Sequence, residues 1–252
     1  MNYKYIGADS PGELVQILRY FIEDGSIKAS SPRTFNDPSE FKVEYDFEAS
    51  DEVIKQRYFS DNPDSDKESF KDWLNSFTPQ SKWHISYTNR HAMLDAVGVV
   101  CLTSDPNNYL MWSHYTRDHT GFCIGFDEEI TTSLDDTLFS SEVKYQKEIP
   151  VFRYFYETVG DFNRSLFFTK SNNWKYEKEF RIITKSHGIR SFNRSLIKEV
   201  IIGCRAPREL EEYARSYLGH DVDFSKMIDH PKEYGLIKKA IIKGTYVESS
   251  AF

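Results

Sequence analysis

Two carboxylates and a guanidinium lie close together in the octapeptide Trp-Lys-Tyr-Glu-Lys-Glu-Phe-Arg at positions 174–181. The octapeptide runs into the apolar stretch Phe-Arg-Ile-Ile-Thr at 180–184, which predicts a strand. Because alternate residues of a strand share a face, Glu177, Glu179 and Arg181 are expected to point to one side. Such a row is either a solvated stripe with a neutralising ion pair or the wall of a site that stabilises positive charge. The residues alone favour the solvated stripe.

A second polar tract is Phe-Asn-Asp-Pro-Ser-Glu at 35–40. Asn36 and Asp37 stand before a proline, where such side chains are typical of a turn held by side-chain to backbone hydrogen bonds. From the residue types alone, this structural role is favoured over ligand binding.

A third tract, Leu-Met-Trp-Ser-His-Tyr at 110–115, predicts a helical turn or loop that carries one histidine between aromatic residues. Trp112 and Tyr115 are expected in the core, and His114 is typical of a half-buried imidazole rather than a catalyst. His119 follows five residues after His114, and this spacing separates their directions on a helix. Taken singly, none of the three tracts identifies a function.

Familiar metal and nucleotide motifs are absent from the sequence. It contains no Cys-x-x-Cys, no His-Glu-x-x-His, no P-loop and no Gly-x-Gly-x-x-Gly run. No metal site is therefore predicted, and P-loop or Rossmann enzymes are disfavoured. A magnesium nuclease would need clustered carboxylates, for which the candidates are Asp37, Glu40, Glu177 and Glu179.

Composition narrows the class of protein further. The chain has 252 residues and a net charge of -7, which disfavours a broad phosphate-binding surface and favours a small ligand or a protein partner. Its three cysteines, Cys101, Cys123 and Cys204, lie in or beside apolar runs and are predicted to be buried free thiols. The sequence has no stretch long enough to cross a bilayer, so we expect a cytoplasmic protein without a membrane partner.

The clearest predicted element is a helix near the amino terminus. Ser10 and Glu13 are typical of a capping box, Pro11 suits the first helical position, and Gly25 is placed to end the helix. Polar sequence with scattered aromatics at 51–90 predicts a helical insert. Further helices are predicted at 151–168 and 207–218, and strands at 3–6, 27–30, 97–103, 121–127, 142–145, 180–184, 196–203 and 239–247. The sequence thus predicts a single α+β domain over residues 1–252, with a central, mostly antiparallel sheet and peripheral helices.

Together and in this order, the tracts resemble the bacterial domain-of-unknown-function 2971 family. Its pattern has an amino-terminal Tyr-Lys-Tyr, a Phe-Asn-Asp-Pro-x-Glu, a Met-Trp-x-His-Tyr followed by His-x-Gly-Phe, and a Trp-x-Tyr-Glu-x-Glu-aromatic-Arg. Here these motifs stand at 3–5, 35–40, 111–115, 119–122 and 174–181. The resemblance spans most of the chain, is weakest over 51–90, and implies no particular activity.

The order of elements also looks like the layout of ADP-ribosyltransferases, with a strand, a helix ending in glycine, a second strand and, much later, Glu-x-Glu before another strand. In that superfamily the first strand supplies a polar residue to NAD, and the last glutamate contacts the nicotinamide ribose. The resemblance implies Lys4 or Tyr5 for the first role, Glu179 for the second, and Glu177 as the acid that assists the acceptor. The first strand has no His or Arg, and Ala-Ser-Ser at 29–31 replaces the superfamily's Ser-Thr-Ser.

Further roles follow from the same resemblance. Aromatic side chains would stack on the nicotinamide or adenine ring, and Arg181 would orient Glu179 or contact a phosphate. His114 would act as a general base or as a donor that positions the ligand. The candidate catalytic residues are Glu179, Glu177 and His114, and the candidate NAD-binding residues are Lys4, Tyr5, Asn36, Asp37, Trp112, Tyr115 and Arg181.

Three functions stay open at this point. The first is an NAD-using ADP-ribosyltransferase or NAD glycohydrolase that acts as a toxin or phage-defence effector, with a protein or nucleic acid as acceptor. The second is a non-catalytic module that senses a nucleotide or binds a partner. The third is a metal-dependent nuclease.

Overall fold

The computed structural model describes residues 1–217 and 222–241. Its strands are β1 (Asn2–Ile6), β2 (Ser26–Ala29), β3 (Glu44–Asp46), β4 (Gly98–Thr103), β5 (Phe122–Phe126), β6 (Thr137–Glu142), β7 (Lys144–Gln146), β8 (Val151–Arg153), β9 (Thr169–Ser171), β10 (Glu179–Thr184), β11 (Gly188–Ser191), β12 (Ile197–Ile202), β13 (Asp223–Asp229) and β14 (Leu236–Ala240). Its α-helices are α1 (Pro11–Ile22), α2 (Asp51–Asp61), α3 (Lys67–Ser76), α4 (Pro79–Ala96), α5 (Tyr109–Tyr115), α6 (Ile130–Ser133), α7 (Val159–Phe167) and α8 (Arg208–Ser216). Short 3-10 helices lie at Pro32–Thr34, Asn172–Glu177 and Arg194–Leu196.

The chain divides into two compact units. Unit 1 contains Met1–Ala29, Val99–Glu142 and the described residues from Tyr176 onward. Unit 2 contains Ser30–Gly98 and Val143–Lys175. A single domain over residues 1–252 stays a prediction.

An eight-stranded sheet forms the framework of unit 1, with the strand order β14-β13-β12-β5-β1-β4-β10-β6. Strand β1 pairs antiparallel with both β4 and β5, and β10 pairs antiparallel with β6. Strands β12 and β13 are parallel. The prediction of an α+β fold with a central, mostly antiparallel sheet is therefore confirmed.

The two faces of this sheet are covered by different helices. On the α1 face, an apolar cluster joins α1 and α8 to alternate residues of β4, β5, β10 and β12, including Phe122, Ile124 and Ile182. On the α5 face, Met111 and Trp112 pack with Tyr3, Tyr5 and Cys123, among other residues. Strand alternation assigns the side chains of β1, β4 and β10 to one or the other face.

Helix α1 forms as its sequence predicts. The Ser10 side chain accepts a hydrogen bond from the Glu13 backbone N–H at 3.2 Å, and the apolar side chains Leu14, Leu18 and Phe21 are buried. Gly25 follows the helix with φ +63°, a left-handed conformation that favours glycine.

Unit 2 is built from helices and short parallel strand pairs. Strand β3 pairs with β8, and β7 pairs with β9. Helices α2, α3 and α4 occupy most of residues 51–96, which confirms the predicted helical insert. Rings from α2, α3 and the β8 region pack together, for example Trp73 against Phe155 at 6.3 Å between centroids.

Some predicted boundaries were wrong. The single helix predicted over 151–168 is strand β8 followed by α7, because Thr158 and Asp161 form a capping box that starts the helix there. The strand predicted at 142–145 is the end of β6 and the start of β7. For the strand predicted at 239–247, residues 242–247 lie outside the described residues. Over residues 1–217 and 222–241, no helix combines the length and apolar character needed to span a bilayer.

Candidate functional site

The glutamates of the Glu-x-Glu motif lie inside the protein, so the favoured prediction of a solvated stripe was wrong. Glu177 is 3% exposed, Glu179 is 5% exposed and Arg181 is 0% exposed. The predicted common strand for all three was also wrong for Glu177, which ends a 3-10 helix. Lys178 follows it with φ +45°, and β10 begins only at Glu179.

Arg181 holds Glu179 in a bidentate ion pair. Its Nε lies 2.8 Å from Oε1 of Glu179, and its Nη2 lies 2.8 Å from Oε2. Side chains alternate along β10, and Ile182 belongs to the apolar cluster on the α1 face. Glu179 and Arg181 therefore project to the α5 face. Two parallel hydrogen bonds fix the carboxylate plane as well as its position.

Tyr115 links helix α5 to the other glutamate. Its hydroxyl donates a hydrogen bond to Oε1 of Glu177. The backbone around Glu177 is held by two further side chains of unit 1, since Thr103 Oγ1 donates to the Glu177 carbonyl at 2.6 Å and Asn108 Nδ2 donates to the Tyr176 carbonyl at 3.0 Å. Glu177 is therefore fixed through both its side chain and its main chain.

Cys101 completes the group on this face of the sheet. Burial is the main cause that raises the pKa of the Cys101 thiol, and the neighbouring Glu179, with which it forms a side-chain hydrogen bond, raises it further. A raised pKa favours the neutral thiol, which is a poorer nucleophile than a thiolate. We call Cys101, Tyr115, Glu177, Glu179 and Arg181 the acidic cluster.

The two candidate residues of β1 point to opposite faces of the sheet. Lys4 is paired in register with Ile124 and Tyr5 with Cys123, so Lys4 faces the α1 side and Tyr5 the α5 side. The Lys4 ammonium lies 3.4 Å from the Cys101 carbonyl oxygen. Burial lowers the pKa of this ammonium, and the nearby Cys101 and Glu179 oppose the shift only in part.

Tyr5 and Trp112 are part of the core. Their rings meet edge to face with 5.2 Å between centroids. The Tyr5 hydroxyl donates to the Asp105 carbonyl at 2.9 Å, and Trp112 Nε1 donates to the Pro106 carbonyl at 2.8 Å. Trp112 is fully buried, so in this structure its ring faces are covered by protein and are not open for the predicted stacking on a ligand.

His114 lies at the surface of unit 1. It is exposed, and its ring centroid is 6.5 Å from that of its neighbour Tyr115. The expected half-buried imidazole was therefore wrong, because position 114 lies on the outward side of α5 while positions 111 and 112 face the core. Through Tyr115, His114 is adjacent to the acidic cluster.

Asn36 and Asp37 belong to unit 2. Asn36 is exposed. Asp37 accepts hydrogen bonds from the Ser39 backbone N–H at 2.7 Å and from Trp174 Nε1 at 2.7 Å. The first bond is the turn that the sequence predicts, and the second ties two motifs together within unit 2.

Unit 2 also contains a buried ion pair beside Trp174. Lys170 Nζ is 2.9 Å from Glu40 Oε1, and both side chains are almost fully buried. The same ammonium lies 5.1 Å from the centre of the Trp174 ring. Among the described residues, no group of three or more His, Cys, Asp or Glu side chains could hold a metal ion, and the nuclease hypothesis gains no support there.

Sequence reasoning missed Cys101 and Thr103 as supports of the acidic cluster. The sequence predicts Cys101 only as a buried free thiol in an apolar run. Its alternate position on β4 is the signal that places it beside Glu179, because Val100 and Leu102 face the α1 side. Thr103 closes the same strand and carries a hydroxyl that the alternation directs to the α5 side.

Comparison with known proteins gives one match. Residues 111–182 match the family model described as "Protein of unknown function (DUF2971)". No curated protein and no solved structure matches the chain. The matched segment contains Tyr115, Glu177, Glu179 and Arg181, and the match confirms the predicted resemblance to this family over residues 111–182.

Proposed function

We propose that the acidic cluster binds the nicotinamide ribose of NAD and promotes cleavage of its N-glycosidic bond. The observation that carries the proposal is the burial of Glu177 and Glu179, with Glu179 held bidentately by Arg181. Cleavage of this bond develops oxocarbenium character on the ribose, as glycoside cleavage does. A fixed carboxylate away from bulk water stabilises such a charge more strongly than an exposed one.

Each side chain then has a distinct role. Glu179 faces the developing positive charge, and Arg181 keeps its carboxylate in one orientation. Nicotinamide leaves as a neutral pyridine. Water or an acceptor hydroxyl adds to the ribose carbon, and Glu177, oriented by Tyr115, takes up the proton that this nucleophile loses. With water as the nucleophile, the products are nicotinamide, ADP-ribose and one proton.

The test is the loss of NAD and the release of nicotinamide by the purified chain. Glu179→Gln should abolish both, because the amide is nearly isosteric but carries no charge. Glu199→Gln is a matched control, since Glu199 is also a buried, ion-paired glutamate of the same sheet, with Lys238 Nζ at 2.7 Å. Unchanged NAD after long incubation with wild type and a cell extract would reject the proposal, as would equal loss of activity in the two variants.

A second candidate function is a non-catalytic nucleotide-binding module. The specific observation in its favour is that Arg181 engages both carboxylate oxygens of Glu179, while Cys101 bonds the same carboxylate. A carboxylate so engaged is suited to shaping a binding wall. Thermal stabilisation by NAD or ADP-ribose without any turnover would select this function over the first.

The biological output of the proposed enzyme is depletion of NAD, as in a toxin or a phage-defence effector. Induced expression of wild type should then lower cellular NAD and slow growth. Glu179→Gln, expressed to the same level, should do neither. Growth inhibition that is the same for both proteins would separate toxicity from NAD cleavage.

A further inference from the structure

Unit 1 contains a cavity whose lining does not include the acidic cluster. Its volume is about 750 Å³, and it lies between Tyr109 at the start of α5 and the turn at 229–235 that joins β13 to β14. This volume falls within the range of small-molecule sites, roughly 300–1,000 Å³. The cavity is therefore large enough for a nucleoside.

Two tyrosine rings border this cavity. Tyr109 is 52% exposed and Tyr234 is fully exposed, so both present ring surface to solvent. The Tyr109 ring is backed by the His119 imidazole, at 4.9 Å between centroids and 50° between planes. Aromatic side chains in this setting are stacking surfaces for flat, nitrogen-containing rings.

His119 gives Tyr109 a rigid support. Its backbone N–H donates to the Trp112 carbonyl at 3.2 Å, and its carbonyl accepts from the Arg205 N–H at 3.1 Å. A Cβ at Gly203 would lie 2.0 Å from the His119 carbonyl oxygen, so only glycine allows this approach. The His119 side chain is buried, and its Nδ1 has no hydrogen-bond partner among the described residues. His119 does not itself line the cavity, so its contribution is to support the Tyr109 ring from behind.

The polar groups of the cavity are complementary to a base with both donors and acceptors. The Asp229 side chain is exposed and lines the cavity, so its two oxygens are available as acceptors. His230 Nδ1 accepts the backbone N–H groups of Lys232 and Glu233 at 3.3 and 2.9 Å. In the neutral imidazole the proton therefore resides on Nε2, which is a donor.

We propose that this cavity binds a purine nucleoside whose base stacks on Tyr109 and donates N–H groups to Asp229. A guanine base suits the site best, because its adjacent N1–H and N2–H donors match the two oxygens of one carboxylate. His230 Nε2 then donates to an acceptor of the ring or the ribose. This site does not depend on the proposed NAD chemistry, and either can fail without the other.

Calorimetric titration of the full chain with guanosine tests the proposal. We expect saturable binding that weakens about tenfold or more in Tyr109→Ala, through loss of base stacking, and similarly in Asp229→Asn, through loss of a charged acceptor. Tyr109→Phe should bind as wild type does. Tyr20→Ala is the matched control, because Tyr20 is a 44% exposed tyrosine of unit 1 outside the cavity, and it should also leave affinity unchanged.

A comparison of inosine with guanosine and a check that each variant is folded complete the test. Inosine lacks the exocyclic amine and should bind more weakly than guanosine. Far-UV circular dichroism establishes that each variant is folded, and Asp229→Asn, at an exposed side chain, tests the site even if Tyr109→Ala does not fold. Absence of guanosine binding, or affinities in Tyr109→Ala and Asp229→Asn equal to wild type, would overturn the proposal.

Discussion

Replacing Arg181 by methionine tests how strongly the acidic cluster is held together. The substitution removes two hydrogen bonds of 2.8 Å to the Glu179 carboxylate and leaves that carboxylate buried. Hydrogen bonds to charged groups contribute about 1.5–3 kcal/mol each, which gives about 3–6 kcal/mol for the pair. Removal of one partner of a buried ion pair typically costs about 3–5 kcal/mol, because the other charge is left buried without compensation. We therefore expect Arg181→Met to lower the free energy of unfolding by about 4 kcal/mol.

The assay is urea unfolding followed by tryptophan fluorescence, with Glu179→Gln and the double variant included to form a cycle. The double variant should lose less than the sum of the single losses, by about 1.5 kcal/mol or more, because neither charge is then left buried alone. Arg208→Met serves as the control, since the Arg208 side chain is 81% exposed in its pair with Glu212 and should contribute about 0.5 kcal/mol or less. A loss below about 1 kcal/mol in Arg181→Met, or strict additivity in the cycle, would show that the Arg181–Glu179 ion pair does not hold the acidic cluster together.

Three further predictions concern neighbouring groups. Burial lowers the pKa of Lys4 in the folded chain below its ordinary 10.5, so between these two pKa values the unfolded chain binds more protons than the folded chain. The free energy of unfolding of wild type relative to Lys4→Met should therefore rise with pH across this window. A difference in urea unfolding that does not depend on pH would contradict this prediction. Burial, assisted by the charge of Arg205, lowers the pKa of His119 below its ordinary 6.5. Wild type should therefore lose stability relative to His119→Gln as the pH falls from 6.5 to the pKa of the folded state. Parallel pH profiles of thermal unfolding for the two proteins would count against this prediction. Tyr115→Phe removes the hydrogen-bond donor to Glu177 and should slow NAD cleavage by about 10- to 100-fold. The NAD concentration that gives the half-maximal rate should change little. A rate equal to that of wild type would show that Glu177 needs no orientation by Tyr115.

Local signals in the sequence were sufficient for the elements that are fixed by neighbouring residues. Ser10, Pro11 and Glu13 predicted the start of α1, because a capping box and a first-turn proline act within one helical turn. The same kind of signal at Thr158 marks the start of α7, so the helix predicted over 151–168 begins too early. Residues 151–153 form a strand because they pair in parallel with β3, a partner more than a hundred positions away.

The acidic cluster was only partly predictable for the same reason. Alternation correctly placed Glu179 and Arg181 on one face of a strand, but residue types cannot show whether that face is solvated or covered. The cover is helix α5, and its contact with Glu177 joins positions 62 residues apart. Glu177 itself departs from the strand pattern because Lys178 adopts a positive φ, which alternation does not anticipate for a lysine.

Quantitative proton NMR of NAD incubated with the purified chain shows most directly whether the acidic cluster cleaves NAD. We expect wild type to release free nicotinamide in proportion to the NAD lost, Glu199→Gln to do the same, and folded Glu179→Gln to release none. Intact NAD in the wild-type sample, or equal nicotinamide release by Glu179→Gln and wild type, would contradict the assignment of the acidic cluster as an NAD-cleaving site.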